Sequence, residues 1–228
     1  MLVSVERDLR CRFGASRDQG TRPTCLAFAA SDFHAALRGG WIPLSCEFAF
    51  YHAQRRGRRK PTEGADLASM LDALREDGQP VETDWPYLTN LPSDLSAWLP
   101  PIQIGRRFRR CGARRGVEFQ EVIEILDEGS PALILMTLSD SFYLPRAGGV
   151  VIPPPGEPVD PTRRHAVVAV GHGLAADGDS VILIRNSWGR DWGLEGHAWL
   201  PRLYLEPRLL RLAVLTEEID ALDNSTAA

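Results

Sequence analysis

The sequence predicts an α+β protein, with a helical part followed by a strand-rich part. The first half of the 228 residues shows helical periodicity and helix-ending glycines. The second half shows short β-branched or leucine-rich runs bounded by Gly, Pro or Asp. Helices grouped before strands argue for two subdomains and against alternating βαβ units. The chain is 44% hydrophobic and 25% charged, as expected of a globular protein able to bury its own core.

Taken in order, Thr24 is placed to cap a helix from Cys25 to about Arg38, stopped by Gly39 and Gly40. Ser45 is placed to cap a second, carrying Phe48, Phe50, Tyr51 and Ala53. A third presents Leu67, Met70, Leu71 and Leu74 at i, i+3, i+4 and i+7 and ends at Gly78. Proline and tryptophan are frequent from Gln79 to Pro101, which predicts an irregular wrapped segment. A fourth helix is expected near Glu118–Glu128, using Val122, Ile123 and Leu126. Strands are expected at Ala132–Leu138, Ala166–Gly171, Val181–Arg185, Ala198–Leu200 and Leu209–Leu215, with a proline-rich loop at Gly148–Pro161.

The net charge of −4 does not fit a nucleic-acid binder. Two arginine-rich runs, Arg55–Lys60 and Arg106–Arg115, read as solvated surface, with an acidic partner as the alternative. The longest apolar stretches, Ala132–Met136 and Ala166–Val170, fall far short of the roughly 18 residues of a membrane span, so no membrane is expected. The opening MLVSVERDLRCRF lacks the apolar core of a secretory signal, and a cytoplasmic address is the expectation. Cys11, Cys25, Cys46 and Cys111 form no CxxC pair and have no histidine at zinc-finger spacing. Neither a metal nor a cofactor is expected.

Chemistry concentrates in three segments. In DQGTRPTCLAFAA, Asp18–Ala30, a cysteine sits in the first turn of a predicted helix, where unsatisfied N–H groups and the macrodipole favour a thiolate. Gln19 supplies an amide donor suited to an oxyanion, together with the Cys25 N–H. His165 opens the strand HAVVAVGHG and is the candidate base. His34, His52, His172 and His197 read as packed or solvated side chains. Asn186 ends a predicted strand and is suited to fix an imidazole tautomer, with Trp188 to shield that bond.

These segments resemble the papain family of cysteine peptidases. DQGTRPTCLAFA is similar to its glutamine-to-cysteine segment, RRHAVVAVGHG to its histidine strand, and NSWGRDWGLEGHAWLP to its asparagine–tryptophan block. Weaker echoes are VERDLR, LSCEFAF, EGADLASMLDALREDG and WPY. Their order and separations match the family's pattern.

The resemblance implies a papain-like α+β fold, with a helical N-terminal subdomain, a β-barrel-like C-terminal one and an active-site cleft between them. It implies one catalytic domain over residues 1–228, with subdomains of roughly 13–112, carrying Cys25, and 1–12 plus 113–228, carrying His165 and Asn186. Residue by residue, it makes Cys25 the nucleophile, His165 the general acid/base, Asn186 the orienting residue and Gln19 the oxyanion donor. Trp188 matches the shielding indole. Gly64 falls on the family's substrate-binding glycine edge, whose usual second glycine is here Ala65. The implied activity is hydrolysis of peptide or protein substrates through a Cys25 thioester. A transpeptidase, ligase or amidase is the alternative, and a non-catalytic binding module the third reading.

Departures from the pattern are informative. Relatives often carry a disulfide-paired cysteine three residues before the nucleophile, where this chain has Arg22. Pro23 and Leu26 replace a common glycine and tryptophan. Only 24 residues precede Cys25, so a prosegment-less, bacterial-style member, or a piece of something larger, is expected. Arg163 and Arg164 directly precede His165, and repulsion from Arg164 is expected to disfavour the imidazolium.

Overall fold

The computed structural model describes residues 3–222. In chain order the elements are β1 (Val3–Asp8), α1 (Cys25–Leu37), α2 (Cys46–Gly57), α3 (Leu67–Glu76), β2 (Arg107–Arg115), α4 (Phe119–Asp127) and β3 (Ala132–Thr137). There follow α5 (Asp140–Tyr143), β4 (Arg164–Ala175), β5 (Ser180–Arg185), β6 (His197–Pro201), α6 (Arg202–Leu205) and β7 (Leu209–Leu222). They form two compact units. One takes the chain up to Asp18 together with Arg114–Val214, and the other takes Gln19–Ala113 with the chain from Leu215 onward. The expected subdomain boundaries therefore shift. Residues 13–18 go with the sheet unit, and the second half of β7 goes with the helical unit.

The helical unit is organised by α1. Its residues from Leu26 to Ala36 are all buried, including Ser31, Asp32 and His34. A helix apolar on nearly every side is a core helix, not a surface one. The expected cap at Thr24 is not made. Its backbone lies outside the extended region, and its hydroxyl lies 3.0 Å from the Tyr87 hydroxyl instead. Ser45 does cap α2, accepting from the Phe48 N–H at 3.1 Å, and Asp66 caps α3 through the Ser69 N–H. Phe28, Phe33, Phe48, Phe50, Met70 and Leu74 fill the interior. Each such side chain contributes roughly 1.5–3 kcal/mol on burial.

One arginine-rich run is a strand, β2, which the sequence reading left as surface. Phe108 and Arg110 are its inward residues. Arg110 is neutralised by Glu218 at 2.7 Å and donates to the Thr216 carbonyl, and the Arg38 guanidinium lies over the Phe108 ring. In the other run Arg56 pairs with Asp77 and Arg55 donates to the Tyr51 hydroxyl.

In the sheet unit the named strands pair antiparallel, and Val150 makes an isolated parallel bridge to Trp199 of β6. β3 and β5 flank β4, β6 lies beyond β5, the start of β7 lies beyond β3, and β1 also pairs with β4. β4 is paired along both edges and is buried almost throughout, so it shows no alternation. One face of the sheet meets α4 through Val122, Ile125 and Leu126, which pack with Ile134, Val167, Ile182, Ile184 and Leu200. β1 escaped the sequence reading because it is mostly exposed. Its strand form rests on its ladder to β4.

Candidate active site

Gln19, Cys25, Gly64 and Ala65 belong to the helical unit, and His165, Asn186 and Trp188 to the sheet unit. Within the helical unit, Cys25 is the first residue of α1, is half-buried and is in no disulfide. The loop before it is tightly bonded. Gln19 is buried, and its Nε2 donates to the Arg22 carbonyl at 2.8 Å. That carbonyl also accepts the Thr24 N–H at 2.8 Å. The Tyr87 hydroxyl donates to the Gln19 carbonyl at 2.6 Å. Gly64 is exposed, and a Cβ there would meet the Pro23 carbonyl at 3.9 Å. The Gly64–Ala65 edge thus runs beside the loop that leads to Cys25. Gln54 secures that edge by donating to the Glu63 carbonyl at 2.7 Å.

Within the sheet unit, His165 is the second residue of β4, held in register opposite Met136 of β3. Its Nε2–H donates to Asn186 Oδ1 at 2.7 Å. Asn186 directly follows β5 and is itself braced. Its N–H donates to the Gly196 carbonyl, its Oδ1 also accepts the Ser187 N–H, and its carbonyl accepts the Ser16 hydroxyl at 2.6 Å. Arg185, fully buried, donates to the carbonyls of Gly14 and Ala15 and so holds the segment that carries Ser16. Gly196 has φ +83°, and a Cβ would lie 2.2 Å from that of Ser16. Only glycine fits there.

Trp188 covers the pair, its ring centroid 4.9 Å from that of His165. Tyr143 stacks on the indole at 5.3 Å, while Phe142 and Trp192 meet it edge-on. Burial pushes the His165 imidazole down to about 4, and the Asn186 bond pulls the other way. Arg164 is not among the causes of this depression. It is exposed and donates to the Pro161 carbonyl, while Arg163 pairs with Asp140 and Asp160. Desolvation is the leading cause of the His165 shift.

The remaining histidines have other settings. His34 is fully buried against Gln79, and His52 pairs with Asp77. His172 is held between Glu6 and Asp127, and His197 is buried with its Nδ1 at the Leu194 and Glu195 carbonyls. Among the described residues, no cluster of His, Cys, Asp or Glu could hold a metal ion. Among the same residues, no helix is long and apolar enough to cross a membrane. Sequence reading missed Ser16, Phe142 and Tyr143 as supports of the His–Asn pair. Their only sequence signal is an ordinary polar or aromatic residue in a loop or short helix.

A cysteine at the head of a buried helix and an imidazole locked by an amide are the groups that thiol-dependent acyl transfer uses. The chain matches the papain family cysteine protease model over residues 108–205. It is 43% identical over 189 residues to the senescence-specific cysteine protease SAG39 of Oryza sativa subsp. indica, covering 79% of this chain and 52% of the relative. The chain thus spans about half the length of that curated relative. Among solved structures it is similar to xylellain, a cysteine protease from Xylella fastidiosa, with a TM-score of 0.74 and 20% identity, covering 94% of this chain and 87% of that one. It is likewise similar to a cysteine protease of Carica candamarcensis solved with E-64, with a TM-score of 0.70 and 22% identity, covering 92% and 97%. Residues 108–205 thus carry a papain family cysteine protease match, and the α+β fold of the chain is papain-like.

Proposed function

We propose that this chain hydrolyses peptide bonds through a Cys25 thioester, acting on peptide or protein substrates. The observation that carries the reading is the buried bond from His165 Nε2–H to Asn186 Oδ1. It commits one ring nitrogen and leaves Nδ1 as the nitrogen for proton exchange. In the proposed cycle the Cys25 thiol passes its proton to His165 Nδ1, and Sγ attacks the carbonyl carbon. The oxyanion is held by the Cys25 N–H and the second N–H of the Gln19 amide. His165 Nδ1–H then protonates the amine as the C–N bond breaks, leaving a thioester. Water, deprotonated by the same nitrogen, attacks the thioester and releases the acid and the thiol. Trp188 shields the His–Asn bond, and the Gly64–Ala65 edge is proposed to hydrogen-bond substrate backbone. A reducing, cytoplasmic setting is part of the proposal, and it is compatible with four cysteines that form no disulfide.

The test is labelling by an epoxysuccinyl or iodoacetamide probe, followed by product analysis on peptide substrates by mass spectrometry. Selective modification of Cys25, lost in Cys25→Ala, with hydrolysed products, is expected. Equal labelling of Cys46 or Cys111 would count against the assignment. Aminolysis products would move the reading to a ligase or transpeptidase.

A further inference from the structure

Position 22, which stands where relatives often place a disulfide cysteine, is occupied by one half of a buried ion pair. Arg22 is 6% exposed, and Glu47, on α2, is 0% exposed. The two meet as a fork, NH1 to Oε2 at 2.7 Å and NH2 to Oε1 at 2.9 Å. The carboxylate is completed by two more donors, the Leu88 N–H at 3.1 Å and the Trp98 indole N–H at 2.6 Å. NH1 also donates to the Leu88 carbonyl, and the rings of Phe50 and Tyr87 flank the guanidinium at 5.5 and 5.0 Å. Both terminal nitrogens of the guanidinium and both carboxylate oxygens are bonded, while the Arg22 Nε is buried without a partner; a bidentate pair of this kind fixes direction as well as distance.

The side chain so fixed belongs to the residue whose carbonyl receives the Gln19 amide and the Thr24 N–H. The path is therefore short. Glu47 orients the Arg22 guanidinium, the guanidinium fixes the Arg22 backbone, and that carbonyl aims Gln19 Nε2. We propose that Arg22 is a positioning residue for the oxyanion donor, an ionic staple that does the work of a covalent one without depending on thiol oxidation. This rests on the peptidase reading, in which Gln19 stabilises the oxyanion. Lysine cannot replace Arg22, because a point charge lacks the planar fork.

The experiment is a double-mutant cycle on a peptidyl coumarylamide, comparing Arg22→Lys, Gln19→Ala and the pair. Arg22→Lys should lower kcat by about 10-fold with KM changed by less than about twofold, as expected for a group acting mainly on the transition state. In the Gln19→Ala background the same change should cost less than about twofold, because its effect passes through that amide. A loss of equal size in both backgrounds would show a merely structural role and overturn the proposal. So would an unchanged kcat for Arg22→Lys. Should Arg22→Lys fail to fold, the charge-free pair Arg22→Met with Glu47→Gln is read in the same cycle, with the same two outcomes deciding. If Gln19→Ala alone leaves kcat unchanged, the oxyanion assignment itself falls and takes this proposal with it. That result is distinct from a cycle in which Gln19 matters and Arg22 does not couple to it.

Discussion

His165 gives its Nε2–H to Asn186 Oδ1 at 2.7 Å, and both residues are almost wholly buried. A buried neutral amide can accept this hydrogen bond but does not take the proton. The bond therefore sets the tautomer and the ring plane while leaving the other nitrogen to do the proton transfer.

This separation of roles predicts unequal losses. His165→Ala should lower kcat by about 10²–10⁴-fold, the range for losing a general acid/base. Asn186→Ala should lower it less, since the imidazole is still present but less well oriented. Steady-state kinetics on one substrate checks the order. Equal losses would give Asn186 a larger part than orientation.

Buried histidines also predict how stability responds to acid. Burial lowers His34 to about 3 and His165 and His197 to about 4, from 6.5. In the unfolded chain each takes up a proton near pH 6.5. Below that pH the unfolded state binds more protons, so stability falls as pH falls from 6.5 toward 4. Calorimetry between about pH 7 and 4.5 should show a declining Tm, and His34→Gln should flatten the decline. An unchanged slope in that variant would mean His34 does not contribute.

Arg164 is expected to be a bystander. His165 owes its depression to burial, and Arg164 is exposed on the chain leading into β4. Arg164→Asp should leave the alkaline limb of kcat/KM in place at low and high salt. An upward shift that weakens with salt would restore an electrostatic role.

The fourth prediction concerns the brace behind Asn186. Gly196→Ala puts a methyl 2.2 Å from the Ser16 Cβ at φ +83°. It should destabilise the protein by roughly 2–4 kcal/mol, a Tm fall on the order of 5–15 °C at this chain length. Because Ser16 and Gly196 both bond the Asn186 backbone, residual activity should fall as well. A variant with native Tm would show that the turn relaxes freely.

The fifth tests the buried ion pair directly. Glu47→Ala leaves the Arg22 guanidinium buried without its partner, which should cost roughly 3–5 kcal/mol. Denaturant unfolding measures it. A loss below about 1 kcal/mol would place the pair in the weak class of surface bridges.

The sequence by itself determined the fold class, the four main helices and most strands, because periodicity and end signals are local. It also singled out the candidate site residues Gln19, Cys25, His165 and Asn186, because they stand in segments whose local pattern marks them. Tertiary structure alone decided the rest. β1 and β2 are strands because a neighbouring strand offers a ladder, and no apolar alternation announces that in VSVERD or RFRRCGARR. Arg22 and Glu47 are polar residues whose burial is stable only as a pair, and their partnership joins residues 25 apart in the chain. Ser16 reaches Asn186 from 170 residues away. Such contacts cost chain entropy that only the packed fold repays, so no local pattern records them.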